Sequence, residues 1–152
     1  IRAGYRGISD PHSVGVYNNI KDEKKEFDRK VRTITRGISA LFADTSLMNP
    51  AGYGMFSWQL ISHKLLRWCV PWFLAFAFVT NLFLLASGKR KYILSFAMQK
   101  AFYAVALSKP SPGSKGILKI PHYFVQVNWA IATAWAKYLK GERFITWDPS
   151  KR

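Results

Sequence analysis

The longest uncharged stretch of the chain, residues 68–87, restricts its fold more than any other feature. It reads WCVPWFLAFAFVTNLFLLAS, and twenty residues at a helical rise of about 1.5 Å span roughly 30 Å, the thickness of a bilayer's hydrocarbon core. Trp68 and Trp72 suit the aromatic belt at a membrane surface. Pro71 is expected in the first helical turn, where a missing N–H does no harm. Asn81 is expected to bond to a neighbouring helix. The stretch therefore predicts a transmembrane helix.

Two weaker apolar stretches follow, over residues 92–108 and 120–138. Polar side chains interrupt both, and such groups need protein or water partners in hydrocarbon, so these helices are expected to pack against others. The interrupting residues are Gln99, Lys100, His122, Gln126 and Asn128. Residues 109–116 between them are rich in Pro, Gly and Ser and break the helix. The sequence predicts a mainly α protein with about three transmembrane helices over residues 63–140, followed by a basic tail at 141–152.

Residues 22–43 carry the clearest helical pattern. Their apolar side chains recur mostly three and four positions apart and form one stripe at about 100° per residue. The stripe contains Phe27, Val31, Ile34, Ile38, Leu41 and Phe42, and the opposite side contains Lys25, Arg29, Arg32 and Arg36. Acidic residues in the first turns suit the positive end of the helix dipole. Such a helix either lies in a membrane interface or packs on a soluble core. The following span favours the interfacial arrangement, and residues 21–62 are interpreted as an interfacial region.

The net charge of +15 indicates an anionic partner. Six of the eight acidic residues precede residue 45, and basic residues flank the long apolar stretches. This arrangement favours anionic membrane lipids, because a nucleic-acid-binding surface more often interleaves basic and aromatic residues on a soluble domain. Membrane lipids are therefore expected partners, and nucleic acid is not.

The basic residues around the first span give conflicting signals about its orientation. The basic helix and the collar of His63, Lys64 and Arg67 favour a cytoplasmic start under the positive-inside rule. The basic segment 88–91 would then face outward, which the same rule disfavours. Either this short loop is an exception, or one later segment does not cross completely.

Residues that could form a self-contained active site are few. The chain has one cysteine, Cys69, and three scattered histidines, and it has no metal-ligand spacing, no paired-carboxylate motif and no glycine-rich phosphate loop. The one cluster with chemical potential is Arg29, Lys30 and Arg32, since guanidinium groups on a fixed helix suit a diphosphate. A solvated or lipid-facing basic stripe is the alternative interpretation.

Several segments in order resemble a known family. They are EFDRKVRTITRGISALF, then LMNP, then FSWQLISHKLLRWCVPWFL, and finally HYFVQVNWAIATAWAKYLKGERFITWDPSKR. Their order and spacing resemble the C-terminal part of bacterial membrane-bound family 2 glycosyltransferases, the polysaccharide-synthase-like enzymes related to cellulose and hyaluronan synthases. The resemblance covers nearly everything from about residue 20 onward.

The resemblance implies a division of labour along a longer protein. In that family a cytosolic GT-A domain, an α/β fold, binds a nucleotide-sugar through acidic motifs and a divalent metal, Mg²⁺ or Mn²⁺. Residues 1–20 would be the end of such a domain, truncated here, because the chain begins at Ile1 without Met. The catalytic residues and the metal would lie upstream, so this chain would hold none of them and would be inactive alone.

The resemblance also gives the basic cluster a role. A Gln-x-x-Arg-Trp-type motif begins the family's interfacial helix and lines the acceptor and diphosphate region. Arg32 matches the motif's Arg, whereas Arg29 stands in place of Gln and Thr33 in place of Trp. These two replacements disfavour processive polymerisation, since the replaced residues help to hold the acceptor. Arg29, Lys30 and Arg32 are the expected diphosphate-binding residues.

The implied function is that of a membrane anchor and interface for a sugar transferase. The parent enzyme would move a sugar from a nucleotide-sugar donor to a glycan or lipid acceptor in cell-surface polysaccharide synthesis. It would lie in the bacterial inner membrane as a multi-pass protein, with the interfacial helix on the cytoplasmic side. The alternative is a small structural subunit of a membrane complex, with its basic helix on anionic headgroups.

Overall fold

A computed structural model describes residues 2–5, 7–8, 10–15, 22–108 and 116–144, and within them the chain is mainly α-helical, as predicted. Six α-helices occur in the described part: α1 (Glu23–Ala43), α2 (Pro50–Tyr53), α3 (Met55–Leu60), α4 (Leu66–Ala86), α5 (Ile93–Leu107) and α6 (Gly116–Leu139). Short 3₁₀ turns at Thr45–Met48 and Arg90–Tyr92 and a π-helical turn at Ile61–Leu65 connect some of them.

The bounds of α1 follow from local chemistry. The Asp22 carboxylate accepts hydrogen bonds from the backbone N–H groups of Lys24, at 2.9 Å, and Lys25, at 3.2 Å, which satisfies two of the donors left open at a helix start. Glu23 and Glu26 add negative charge to the first turn. These bounds agree with the helix predicted over residues 22–43.

Much of the apolar stripe of α1 is covered by protein. Val31, Ile38 and Leu41 are buried, and they belong to one core with Ala130 and Ala134 of α6. The small alanine side chains let the two helix backbones approach closely, so α6 covers the stripe that lipid was expected to cover. Along this stripe α1 therefore packs on protein, and the interfacial position of residues 21–62 stays a prediction.

The helix that contains the uncharged stretch is longer than the stretch itself. α3, the π-helical turn and α4 run on as one helix, Met55–Ala86, of 32 residues with a mean hydropathy of 2.0 in its most apolar window. None of that window is buried within the described structure, and Phe76 and Phe83 are among its exposed side chains. Its length and apolarity suffice to cross a bilayer.

The described residues support fewer spans than the sequence predicted. Among the described residues, Met55–Ala86 is the one helix that is both long and apolar enough to cross a membrane. α5 has 15 residues and rises only about 22 Å, less than the hydrocarbon core. α6 has 24 residues, but its polar side chains leave it too weakly apolar. The prediction of three spans is therefore not supported.

The expected position of Pro71 was wrong, and the expected α/β remnant is not supported. Pro71 lies inside the helix and not in its first turn, because the helix begins well upstream at Met55. Within the described residues of 1–20 there is no strand, so the expected α/β remnant is not seen there. Residues 14–17 (VGVY), a short stretch whose residues are typical of a strand end, lie partly outside the described residues.

Asn81 bonds to a neighbouring helix, as its isolation predicted. Its amide Nδ2 donates to Oε1 of Gln99 on α5 at 2.9 Å, and the Ser95 hydroxyl donates to Asn81 Oδ1 at 3.4 Å. His122 of α6 is likewise held to α5, with Nδ1 2.8 Å from the carbonyl oxygen of Ala106. These polar contacts join α5 to both neighbours in otherwise apolar surroundings.

Trp68 joins three helices. Its indole ring packs over Gly37 of α1 so closely that a Cβ at Gly37 would lie 2.7 Å from the ring. Its backbone carbonyl accepts a hydrogen bond of 2.8 Å from the indole Nε1 of Trp135 on α6. Gly37 is therefore required for a close approach of α1 to the start of α4.

Gly37→Ala should lower the stability of the helix assembly. Alanine is about 1 kcal/mol better than glycine inside a helix, but an overpacked core costs about 1–3 kcal/mol, and the Trp68 ring that the new methyl group would meet is itself packed in the core. We expect a lower thermal unfolding midpoint in detergent, followed by circular dichroism. Gly52→Ala is the matched control, because nothing lies within 4 Å of its Cβ position, and its midpoint should be unchanged or higher. Equal midpoints for the two variants would contradict the close contact.

Candidate phosphate-binding groove

A groove of about 800 Å³ lies between α1, α4 and α6. One side is basic and the other is largely apolar, and we call it the basic groove. Its volume is within the range of small-molecule sites. The cationic side chains that line it are Arg29, Lys30, Arg32 and Arg36 from α1 and Arg67 from α4.

The α1 cations share one side of the groove because of helical spacing. Arg29, Arg32 and Arg36 are three and four residues apart, which places them on adjacent turns of one face. α1 is fixed in rotation by its buried stripe, so this basic face is held towards the groove. Arg67 joins them because the start of α4 lies against α1 through Trp68 and Gly37.

Glu26 neutralises part of this charge. Its carboxylate lies 2.7 Å from the Arg29 guanidinium and 3.7 Å from the Lys30 ammonium. The Lys30 ammonium also lies 4.8 Å from the ring centroid of Tyr123 on α6, a cation–π distance. Two of the three predicted diphosphate-binding residues therefore already have partners.

The other cations of the groove differ in their engagement. Arg36 donates from Nε to the carbonyl oxygen of Phe144 at 2.9 Å. Within the described residues, Arg32 and Arg67 form no hydrogen bond and no ion pair. A guanidinium without a protein partner can donate two parallel hydrogen bonds to a phosphate. Arg32 and Arg67 are thus the cations most available to an anion.

Arg32 also borders a smaller cavity, of about 390 Å³, on the other side of its helix turn. Lys25, Lys137 and Phe144 line this second space with it. The Arg32 side chain therefore stands between two openings and is reachable from both.

The apolar side of the basic groove comes from α6 and the start of α4. Ile120, Phe124 and Val127 of α6 and Val70 of α4 line it. Asn128 is the polar exception in this wall. It is 9% exposed, its Nδ2 donates to the carbonyl oxygen of Phe124 at 2.8 Å, and its Oδ1 is buried with no hydrogen-bond partner in the described structure.

Asn128 also lines a third space, of about 430 Å³, which is almost wholly apolar and which we call the apolar cavity. Its walls come from α4, α5 and α6, and include Pro71, Phe78, Tyr103 and Trp129. The basic groove and the apolar cavity therefore share Asn128 as a lining residue.

All three residues predicted for diphosphate binding lie in the basic groove. Sequence reasoning placed Arg36 on the same face and Arg67 in a basic collar, without assigning either to the site. It missed Glu26 as the counter-ion of Arg29 and Lys30, although spacings of three and four residues are typical of ion pairs on a helix. Asn128 was identified only as a polar group that needs a partner, and Tyr123 gave no signal, since both reach the groove through tertiary packing.

No group of three or more metal-binding side chains occurs within the described part of the chain. The divalent metal expected for an upstream catalytic domain remains a prediction. Comparison of the chain with protein-family models, curated proteins and solved structures finds no match.

Glu26→Gln should strengthen anion binding in the basic groove. The change releases Arg29 and Lys30 from their carboxylate partner, and because partly exposed ion pairs contribute less than about 1 kcal/mol, affinity should rise by about twofold to fivefold. Titration calorimetry with inorganic pyrophosphate at low salt measures this.

Glu23→Gln serves as the control for that experiment. It removes the same charge from the same helix turn, but Glu23 is exposed and is not among the groove's lining residues. Equal gains for both variants would mean that net charge alone is responsible, and would contradict a local role for Glu26.

Proposed function

We propose that this chain is the membrane-anchoring and interface portion of a family 2 glycosyltransferase that moves a sugar from a nucleotide-sugar donor to a glycan or lipid acceptor. The observation that carries the proposal is the position of Arg32, which has no ion-pair partner in the described chain and lines a groove beside the long apolar helix. The order of sequence segments described above supports the same conclusion.

Arg32 would hold the leaving nucleoside diphosphate. Charge develops on that group as the sugar departs, and a fixed guanidinium stabilises it without reorganisation. Arg29 and Lys30 would contribute less in the resting state, because Glu26 already balances them. A diphosphate that displaced Glu26 would recruit both.

The parent protein would lie in a bacterial inner membrane, with the basic groove on the cytoplasmic side. Met55–Ala86 would cross the bilayer, and in a multi-pass arrangement α5 and α6 would be held by their polar contacts. An upstream GT-A domain would supply the acidic residues and the Mg²⁺ or Mn²⁺ ion, and its product would contribute to cell-surface polysaccharide.

A structural subunit of a membrane complex is the second candidate. The exposure of large apolar side chains such as Phe76, Phe83 and Leu94 favours it, because protein partners as well as lipid can cover such surfaces. The upstream coding sequence separates the two candidates: acidic DxD-like and TED-like motifs within a few hundred residues support the transferase, and an immediate start codon contradicts it.

Arg32→Ala should abolish most sugar transfer by the enzyme that contains this chain. Loss of one such electrostatic group typically costs about 10²–10³-fold in turnover. The measurement is incorporation of radiolabelled sugar by membranes that hold equal amounts of each variant. Lys24→Ala is the control on the same helix, because its side chain is exposed and it is not among the groove's lining residues. Unchanged turnover in Arg32→Ala would refute the assigned role.

A further inference from the structure

We infer that the basic groove and the apolar cavity together bind one molecule of an anionic glycerophospholipid whose headgroup carries hydroxyl groups, such as a phosphatidylglycerol. Its phosphate would pair with Arg67, a headgroup hydroxyl would donate to Asn128 Oδ1, and a hydrocarbon chain would occupy the apolar cavity. The inference does not depend on sugar transfer and would hold equally for a structural subunit.

The lining of α4 changes from charged to apolar along its length. Arg67 and Val70 line the basic groove, and Pro71, Leu74 and Phe78 line the apolar cavity. From Arg67 to Phe78 the helix rises about 16 Å, roughly half of the hydrocarbon thickness. A molecule lying along this path would have a charged end and an apolar end separated by about one leaflet, which are the proportions of a membrane lipid.

Charge selects an anion for the polar end. Arg67 has no ion-pair partner in the described chain, and it precedes the first residues of the uncharged stretch, at the level where lipid phosphates lie. The basic groove carries five cations against one carboxylate, that of Glu26. A zwitterionic lipid would leave this excess unchanged, whereas an anionic lipid lowers it by one charge.

Asn128 specifies the hydroxyl. A buried carbonyl oxygen without a donor is costly, so native proteins nearly always satisfy such groups. Asn128 Oδ1 is buried and unpartnered in the described structure, at the residue shared by both spaces. A phosphate ester offers it only acceptors, whereas a glycerol headgroup offers an O–H donor.

Delipidated chain in a non-ionic detergent provides the test. It is titrated with phosphatidylglycerol, phosphatidylmethanol and phosphatidylcholine of identical acyl chains, and bound lipid is counted by native mass spectrometry. We expect one tight phosphatidylglycerol. Phosphatidylmethanol, which has the charge but no hydroxyl, should bind about threefold to tenfold more weakly, the value of one net hydrogen bond. Phosphatidylcholine should bind more weakly still, and inorganic phosphate should not displace the lipid.

Variants assign the contacts. Arg67→Gln should weaken phosphatidylglycerol about fivefold, the contribution of one basic residue near a lipid surface. Lys64→Gln removes the same charge from the same end of the helix without touching either lining, and should change binding by less than about twofold. Asn128→Leu should remove the preference for phosphatidylglycerol over phosphatidylmethanol. Because this substitution also changes the packing of a buried residue, the same contact has a second test that needs no substitution. That test is the comparison of phosphatidylglycerol with phosphatidylmethanol on the unmodified chain.

Three results would overturn the inference. They are equal binding of phosphatidylglycerol and phosphatidylcholine, equal effects of Arg67→Gln and Lys64→Gln, and displacement of the lipid by inorganic phosphate. Lipid binding and sugar transfer are read from separate measurements, with Arg67→Gln testing the first and Arg32→Ala the second, so a failure of the lipid site and a failure of the transferase role of Arg32 are distinguishable.

Discussion

The contact between Trp68 and Gly37 is the constraint on which the rest of the arrangement depends. Through it the start of the apolar helix lies directly on the α1 backbone, and the bond from Trp135 to the Trp68 carbonyl draws in α6. Three helices are thereby fixed around one residue at the edge of the uncharged stretch. The basic groove is the space that remains beside this junction, so its cations face an apolar wall at a fixed separation.

The two sides of α1 have different partners, and together they explain how a strongly basic chain keeps an ordered cation cluster. Burial of Val31, Ile38 and Leu41 fixes the rotation of the helix. Repulsion among the cations on the opposite face is reduced by Glu26 and by the ring of Tyr123. The hydrophobic stripe therefore does more than stabilise the fold, because it sets the direction in which Arg32 points its charge.

Sequence patterns predicted the features of the fold that depend on residues close together in the chain. The acidic first turn and the stripe spacing were enough for α1, and the same helical spacing put Arg29, Arg32 and Arg36 on one face. What covers the stripe depends on Ala130 and Ala134, which are 99 or so positions away and look like part of an ordinary apolar helix. Arg67, Tyr123 and Asn128 reach the site through that same distant packing. The apolar stretches at 92–108 and 120–138 resemble spans in the sequence, but α5 is too short and α6 too weakly apolar to meet the criteria for a span.

Pro71 has a consequence for how deeply the long helix can sit. Proline has no N–H, so the carbonyl oxygen of Arg67, four residues earlier, loses its helical donor. Hydrocarbon offers no replacement, whereas water and headgroups do. Sliding the helix inward by one turn, about 5.4 Å, would carry that carbonyl away from the wet boundary. In the proposed membrane arrangement, Pro71 therefore favours a helix depth at which Arg67 stays at the bilayer surface.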